Sequence, residues 1–199
     1  TEYFMSKKYS NTTADYLSWD QNLNLIRKLY NDGEYKLSLL IAAGSFWGLR
    51  ISDILKLKWN DILDKDVFVL VETKTQKSRE IRINAQLKKH INECYHHIKP
   101  YSNDKEIFMS QKNSVYSVQW LNKIFKSIKT RYNLRIDNFS THSMRKTFGR
   151  EVFSKAGTNA EIAIVRLSQL FNHSSVMITR RYLGITRDEL LEAYDSLSF

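Results

Sequence analysis

The sequence is poor in the residues that interrupt helices and in those that cross-link chains. Its 199 residues include six glycines, one proline and one cysteine. So few glycines and prolines argue against a β-rich barrel or a disordered tail, and they favour long helices with short connections. The single cysteine, Cys94, excludes an internal disulfide and is typical of a protein that works in a reducing cytoplasm.

Long hydrophobic runs and targeting segments are also missing. The longest apolar stretch, residues 37–49, is too short to span a bilayer and is interrupted by Ser38, Gly44 and Ser45. The N-terminal residues lack the basic region and apolar stretch of a signal peptide. We therefore expect a soluble, cytoplasmic protein that does not span a membrane.

Positive charge is what the chain has in excess. Lysine and arginine total 31 against 21 acidic residues, which gives a formal net charge of +10. Such a charge suits a polyanionic partner, because each neutralised phosphate releases counterions and adds affinity. Charge alone leaves nucleic acid, anionic membrane surfaces and acidic proteins open as partners.

Most of the chain has helical periodicity. Residues 1–17 show none and are predicted to be a leader or linker, followed by a single domain at 18–199. Residues 37–46 predict a buried helix, and another helix, with an apolar stripe that reaches Trp59, is expected to begin near Arg50. Capping-box spacing marks three helix starts, at Ser18 with Gln21, Thr158 with Glu161, and Thr186 with Glu189.

Apolar residues at helical spacing recur in the second half, at residues 87–98, 121–132, 144–153, 162–170 and 190–197. Gly157 is placed to end the third of these helices. The last stripe packs either on its own domain or on a neighbouring protomer.

Between residues 66 and 83 the pattern changes to that of strands. Residues 67–71 form a continuous apolar run, residues 80–83 alternate, and a polar segment separates them. This pattern predicts a β-hairpin with a basic loop, and residues 107–109 are expected to add a short third strand. The fold class indicated is α+β, mostly helical, with a small antiparallel sheet.

Two segments in the second half have residue types suited to phosphate chemistry. His142 and Arg145 are three residues apart, so they share one face of a helix start, where free N–H groups favour a bound phosphate. His173 precedes Tyr182 by nine residues, and two arginines precede Tyr182, an unusual setting for a core tyrosine. Each segment alone also fits an ordinary helix with a solvated histidine or a packed tyrosine.

Two segments in the first half supply further cations. Arg50 directly follows the predicted buried helix, so its guanidinium is expected in a cleft, where it offers a bidentate fork to phosphate oxygens. Asp53, one turn on, either orients a neighbouring basic group or forms a local pair with Arg50. Lys74 and Lys77 lie in the hairpin loop, where a lysine either reaches into a DNA groove or stays solvated.

In chain order these elements resemble the active-site series of the tyrosine recombinases, the λ-integrase-like and Xer-like family. G-L-R-I-S-D-I-L at residues 48–55 is similar to the family's first arginine motif. H-S-M-R-K-T-F at 142–148 is similar to its His-x-x-Arg box, and F-N-H-S-S at 171–175 with T-R-R-Y at 179–182 to its final box. The resemblance runs from about residue 18 to the C-terminus. The usual Leu-Gly-His is Phe171-Asn172-His173 here, and asparagine tolerates the left-handed backbone of that glycine.

The resemblance implies an enzyme that breaks and rejoins DNA without a metal or other cofactor. Tyr182 would be the nucleophile that forms a 3′-phosphotyrosyl link. Lys74 would be the general acid for the leaving 5′ oxygen, with Lys77 as the alternative lysine. The ligand-type residues at 93–97 lack matching pairs elsewhere, so no metal site is expected there.

The same resemblance assigns the remaining catalytic residues. Arg50 and Arg145 would bind non-bridging phosphate oxygens and stabilise the charge of the transition state. His142 would assist as general acid or base, and His173 would hydrogen-bond a phosphate oxygen. Additional DNA contacts are expected from basic residues beside these motifs, namely Lys77, Arg79, Lys146, Arg180 and Arg181.

The implied partner is double-stranded DNA of the bacterial nucleoid, bound by a homo-tetramer on two duplexes, and no membrane partner is expected. The N-terminal core-binding domain usual in the family is absent from this chain, so we expect either a fragment of a longer protein or a truncated member. The preferred role is integration for a mobile element or phage. A type IB topoisomerase-like enzyme is one alternative, although a lysine would be expected at position 142, and a non-catalytic DNA-binding module is the other.

Overall fold

The fold is mostly helical with one two-stranded antiparallel sheet, as the sequence predicts. A computed structural model describes residues 15–186 and residue 189. The elements in chain order are α1 (Trp19–Asn31), α2 (Tyr35–Trp47), α3 (Ile51–Ile54), α4 (Trp59–Ile62), β1 (Val67–Val71), β2 (Ser78–Arg82), α5 (Ala85–Ile98), α6 (Val118–Arg131), α7 (Thr141–Ala156), α8 (Ala160–Phe171) and α9 (Val176–Leu183). Within these described ranges, no helix has the length and apolar composition needed to cross a membrane.

Helix α2 is the centre of the larger core. It is buried on nearly every side and packs against α1, α5 and α7. The predicted capping box begins α1, because the Ser18 hydroxyl accepts from the Gln21 amide and the Gln21 side chain accepts from the Ser18 amide. Just before it, Leu17 is buried, and its amide donates to the hydroxyl of Thr147 on α7.

The predicted hairpin forms, and the side chains of both strands alternate between the core and the outer face. Phe68 and Leu70 of β1 face the core, and Phe68 pairs with the buried Ile81 of β2. The valines between and beside them are exposed on the outer face. The two strands are short, so the hairpin depends on this packing against the helices to stay in place.

A second, smaller core joins α7, α8 and α9. Phe153, Ile164, Leu167, Phe171 and Leu183 are its buried members. Gly149 lets α9 approach α7, because a Cβ at this position would lie 2.5 Å from a methyl carbon of Leu183. The close approach brings the C-terminal half of α9 against the start of α7.

Three local predictions are wrong. The segment after Arg50 is two separate short helices, because α3 ends at Ile54 and the chain is extended at Lys58 before α4. Residues 107–109 form no strand, since Met109 makes only an isolated bridge with Val115. Thr158 does not cap α8: it lies in a 3₁₀ turn (Gly157–Asn159), and Asn159 precedes the helix without a side-chain cap.

The buried side of α8 also differs from the predicted one. Ile162 and Val165 are exposed, whereas Ala163 and Ile164 face the core together with Leu167. The capping box at Thr186 and Glu189 is confirmed by reciprocal hydrogen bonds between them. The apolar stripe at residues 190–197 lies outside the described residues.

Candidate active site

Three arginines bind the carbonyl ends of two helices. Helix α2 ends at Trp47 and α8 at Phe171, and the last carbonyls of a helix lack intrahelical partners and carry partial negative charge. Arg145 donates to the oxygens of Gly48 at 2.8 Å and Phe171 at 2.9 Å. Arg50 donates to the same Phe171 oxygen at 3.1 Å. Two guanidiniums from distant parts of the sequence therefore meet at one atom.

The third arginine, Arg79 of β2, completes this arrangement. Its guanidinium donates to the oxygens of Leu170 at 3.2 Å and Trp47 at 3.3 Å, so it ties α8 to α2. The sequence predicts Arg79 as a DNA contact, but the structure directs it inward, with 16% of its side chain exposed. Burial lowers the pKa of Arg79, as does the charge of Arg50, while Glu72 and Asp53 oppose the shift.

A buried carboxylate lies among these arginines. Glu72 is 2% exposed, and its Oε2 accepts from Arg50 at 3.1 Å and from the Thr75 hydroxyl at 2.9 Å. Burial acts to raise the pKa of Glu72, but hydrogen bonds from Thr75 and Asn172 and the charge of Arg50 outweigh it, and the pKa falls. Glu72 is therefore ionised at neutral pH.

Asp53 has a different position from either sequence expectation. It is fully buried, and its Oδ1 accepts from the backbone amide of Thr73 at 2.8 Å. The ion-pair partner of Arg50 is Glu72 instead. Asp53 thus anchors the start of the hairpin loop to the helix that follows Arg50.

The ring of Phe171 forms a platform under the site. The guanidinium carbon of Arg145 lies 4.2 Å from the ring centroid, a cation–π contact. The ring also contacts two other aromatic rings: its centroid lies 5.4 Å from that of His173 and, in an edge-to-face arrangement, 5.6 Å from that of Tyr182. Sequence reasoning treats position 171 only as a departure from leucine, whereas the structure makes it the common neighbour of three predicted catalytic side chains.

Tyr182 lies beside the arginines, on the helix that the close approach to α7 positions. Its hydroxyl is 3.5 Å from the backbone oxygen of His142, and its ring meets that of His173 at 5.5 Å. Burial raises the pKa of Tyr182, although the charges of Arg145 and Arg50 act to lower it. The phenol is therefore protonated at neutral pH, and a nucleophilic role requires a base.

The two histidines are suited to proton transfer or neutral hydrogen bonding. Burial, followed by the charge of Arg145, lowers the pKa of His142. Burial also lowers the pKa of His173, with smaller effects of Arg145, Arg50 and Lys74. Both imidazoles are thus neutral at pH 7. The Nδ1 atom of His173 is 2.8 Å from the Thr179 hydroxyl, which fixes the ring and leaves Nε2 for another partner.

Arg145 is the most desolvated cation of the site. Burial, together with the charges of Arg50 and Arg79, lowers its pKa to about 10, while Tyr182 and Glu72 act to raise it. The guanidinium remains charged at neutral pH, but it is held close to other cations. A phosphate that enters here would relieve that repulsion.

The hairpin loop and the residue before it contact Asn172, at the end of α8. Asn172 has the left-handed backbone that the sequence predicts, with φ 55° and ψ 43°. Its Oδ1 accepts from Lys77 at 3.2 Å, and its Nδ2 donates to Glu72 at 3.3 Å. Lys74 is exposed, and its charge reaches His173. Both candidate lysines therefore lie near the final box.

The other predicted DNA contacts are divided between surface and interior. Arg181 is exposed, whereas Arg180 forms an ion pair with Glu161 of α8. Lys146 is 7% exposed, and burial lowers its pKa. It borders a cavity of about 730 Å³ that Tyr182 and His142 also line. Among the described residues, no group of histidine, cysteine and acidic side chains could hold a metal ion.

Glu72 is the site residue that sequence reasoning missed, although a signal was available. Phe68 and Leu70 alternate inward along β1, and position 72 continues that alternation. A carboxylate on a core-facing position needs a buried partner. Its place directly before the hairpin loop indicates where that partner lies.

Comparisons with known proteins agree on the family. Residues 19–189 match the model of the phage integrase family. The chain is 34% identical over 148 residues to "Probable integrase/recombinase YoeC" of Bacillus subtilis (strain 168), across 73% of this chain and 76% of that protein. It is 25% identical to "Tyrosine recombinase XerC" of Caldanaerobacter subterraneus, across 97% of this chain.

Solved structures show the same fold. XerA recombinase matches with a TM-score of 0.73 at 19% identity, over 92% of this chain and 66% of that one. XerH recombinase bound to its difH substrate matches with a TM-score of 0.70 at 20% identity, over 96% of this chain and 55% of that one. The chain spans about half the length of XerC (54%) and XerH (55%). Together, these matches show that the chain belongs to the phage integrase family of tyrosine recombinases and corresponds to the catalytic domain.

Proposed function

We propose that the chain cleaves and rejoins DNA as a site-specific recombinase or integrase of a bacterial mobile element or phage. The observation that carries this proposal is the convergence of Arg50 and Arg145 on one oxygen atom, beside the ring of Tyr182. Guanidiniums held in fixed positions at a buried site bind phosphate oxygens and stabilise charge that develops during reaction.

In the proposed reaction, Tyr182 Oη attacks the scissile phosphorus and the bond to the 5′ oxygen breaks. The tyrosine proton passes to a base, and we assign this role to His142 because its lowered pKa keeps the imidazole unprotonated at neutral pH and its backbone oxygen adjoins the Tyr182 hydroxyl. Lys74 protonates the leaving 5′ oxygen. A 5′-hydroxyl later reverses these steps, so the covalent link conserves the bond and no nucleotide cofactor is needed.

The partner in this proposal is double-stranded DNA in the bacterial cytoplasm, bound by four protomers on two duplexes. Structures of XerH with its difH substrate, and of a λ integrase dimer on a core site, support DNA as the partner class. Residues 18–199 would be the catalytic domain and residues 1–17 a leader or linker. Lys77 and Arg181, which are both exposed, would contact the DNA backbone.

The test is covalent capture of DNA by the protein. The protein would be incubated with a library of nicked duplexes with randomised central sequences, from which the cleaved strand diffuses away and traps the intermediate. Denaturation followed by gel separation and sequencing would recover the joined strands. We expect adducts with wild-type protein and none with Tyr182→Phe.

A matched control removes a hydroxyl elsewhere. Tyr95 is a half-buried tyrosine whose hydroxyl donates to Asn103, far in sequence from the site. Tyr95→Phe should form adducts at the wild-type rate. The proposal fails if wild-type protein captures no sequence, or if Tyr182→Phe captures DNA as well as wild type. Strand exchange between two captured sites, as opposed to relaxation of supercoils, then distinguishes a recombinase from a topoisomerase.

A further inference from the structure

We propose that Glu72 and Asn172 form a positioning bridge, which fixes Arg50 and the hairpin loop in position relative to the His173–Tyr182 segment. The inference rests on the proposed strand cleavage for its catalytic consequence, while the bridge itself is a feature of the described contacts. Neither residue would touch the DNA. Each would act through the arginine and lysine side chains that it orients.

Glu72 is the first half of the bridge. Its Oε2 receives three donors, Arg50, Thr75 and Asn172, at 3.1, 2.9 and 3.3 Å, and its Oε1 lies 3.8 Å from Arg79. One buried carboxylate thereby joins the arginine after α2, the hairpin loop and the end of α8. Such a shared acceptor restricts the orientation of the Arg50 fork, whose other nitrogen is held by the Phe171 oxygen.

Asn172 is the second half. Its backbone is left-handed, a conformation that glycine would adopt with less strain. Glycine, however, could supply neither the amide that donates to Glu72 and Thr75 nor the oxygen that accepts from Lys77. The asparagine side chain therefore adds a link between the loop and the final box that a glycine at this position would lack.

The bridge has an electrostatic role as well. Arg50 and Arg79 repel each other, and Glu72 offsets that repulsion. Removing its charge while keeping its shape should loosen the Arg50 fork without opening a cavity. The cost should appear in the chemical step more than in DNA affinity, because the surface cations outside the loop that would contact the DNA backbone are unchanged.

The first experiment measures the bridge directly. Hydrogen–deuterium exchange of residues 73–77 would be compared between wild type, Glu72→Gln and Asn172→Gly. Each variant has a matched control: Glu80→Gln changes an exposed glutamate of β2, and Asn133→Gly changes another left-handed asparagine, with φ 50°, after α6. We expect about tenfold faster exchange of the loop in the two bridge variants only, the effect of losing one charge-assisted hydrogen bond.

The second experiment measures adduct formation on a captured DNA sequence at saturating protein. Glu72→Gln and Asn172→Gly should each slow cleavage about tenfold, with the dissociation constant for DNA changed less than about threefold. The double variant should be little slower than the slower single variant, because both changes break one bridge. The two control variants should cleave at the wild-type rate.

A substrate change separates positioning from a general loss of structure. A methylphosphonate at the scissile position removes one negative oxygen, so the charge of Arg50 matters less. The deficit of Glu72→Gln should shrink on this substrate, whereas a partly unfolded enzyme would be slowed equally on both. An equal deficit on both substrates, or unchanged exchange of the loop, would overturn the proposal. If wild-type protein forms no adduct, the cleavage function fails, and the exchange measurement alone decides whether the bridge exists.

Discussion

Substitution of alanine for Gly48 (Gly48→Ala) tests how tightly the first arginine segment packs against α7. Gly48 ends α2 in the left-handed conformation, with φ 60° and ψ 28°. A Cβ there would lie 2.3 Å from Cδ1 and 2.8 Å from Cγ of Phe148, distances that require the ring or the backbone to move. The left-handed conformation costs alanine about 1–2 kcal/mol. Forcing a methyl group into a packed site adds about 1–3 kcal/mol.

A second glycine isolates the backbone part of this cost. Gly184 ends α9 with nearly the same conformation, φ 65° and ψ 35°, and a Cβ there would meet nothing within 4 Å. Gly184→Ala should therefore lose only about 1–2 kcal/mol of unfolding free energy. The assay is urea denaturation of both variants and of wild type. Equal losses at the two positions would refute the steric reasoning, because they would show that Phe148 yields without cost.

The same substitution should also affect the site. The Gly48 oxygen accepts from Arg145 at 2.8 Å, so a displaced backbone at residue 48 moves one of the two anchors of that guanidinium. We expect slower adduct formation by folded Gly48→Ala protein. Adding Phe148→Leu should recover both stability and cleavage, since the smaller side chain makes room for the methyl group. If the second change recovers neither, the ring is not the cause.

Two further predictions use the platform and the histidines. Phe171→Leu should slow cleavage. It should also lower the unfolding free energy by about 1–2 kcal/mol more than Phe125→Leu does, because both rings are fully buried but Phe171, unlike Phe125, makes a close cation–π contact. Equal losses of the two variants in urea denaturation would contradict this. Burial lowers the pKa of His90, His142 and His173, so the unfolded chain binds protons first as the pH falls. The unfolding free energy should then be level above about pH 7.5 and decline below about pH 6.5, by at most about 1.4 kcal/mol per pH unit for each histidine. His90→Asn should reduce that slope. A rise in the unfolding free energy on acidification would exclude this explanation.

The predictions that succeeded depend on local periodicity. The apolar run of β1 and the apolar stripes of α1, α5 and α6 are set by residues close in sequence, so patterns in short windows were sufficient. The failures also have local causes. The apolar stripe from Ile51 to Trp59 predicted one helix. The backbone is extended at Lys58, so two short helices form instead.

The contacts within the site, in contrast, could not be predicted from local patterns. The residues of the site were found by their order in the family series, which carries no information on contacts between them. That Arg50 and Arg145 share the Phe171 oxygen follows from how α2 and α8 end side by side, a tertiary arrangement that periodicity does not specify. Arg79 illustrates the limit, since a loop-adjacent arginine looks solvated in the sequence and is buried by the same two helix ends.

The charges of the site explain why it is suited to an anion. The guanidiniums of Arg50, Arg79 and Arg145 lie together, and the buried Glu72 carboxylate forms ion pairs with Arg50 and Arg79, so positive charge is in excess. Neutral carbonyls at helix ends hold the guanidiniums but do not cancel that charge. One phosphodiester carries one negative charge, and charge-assisted hydrogen bonds are about twice as strong as neutral ones. In the proposed function a phosphodiester would therefore offset this excess, at guanidiniums that the helix ends already hold in place.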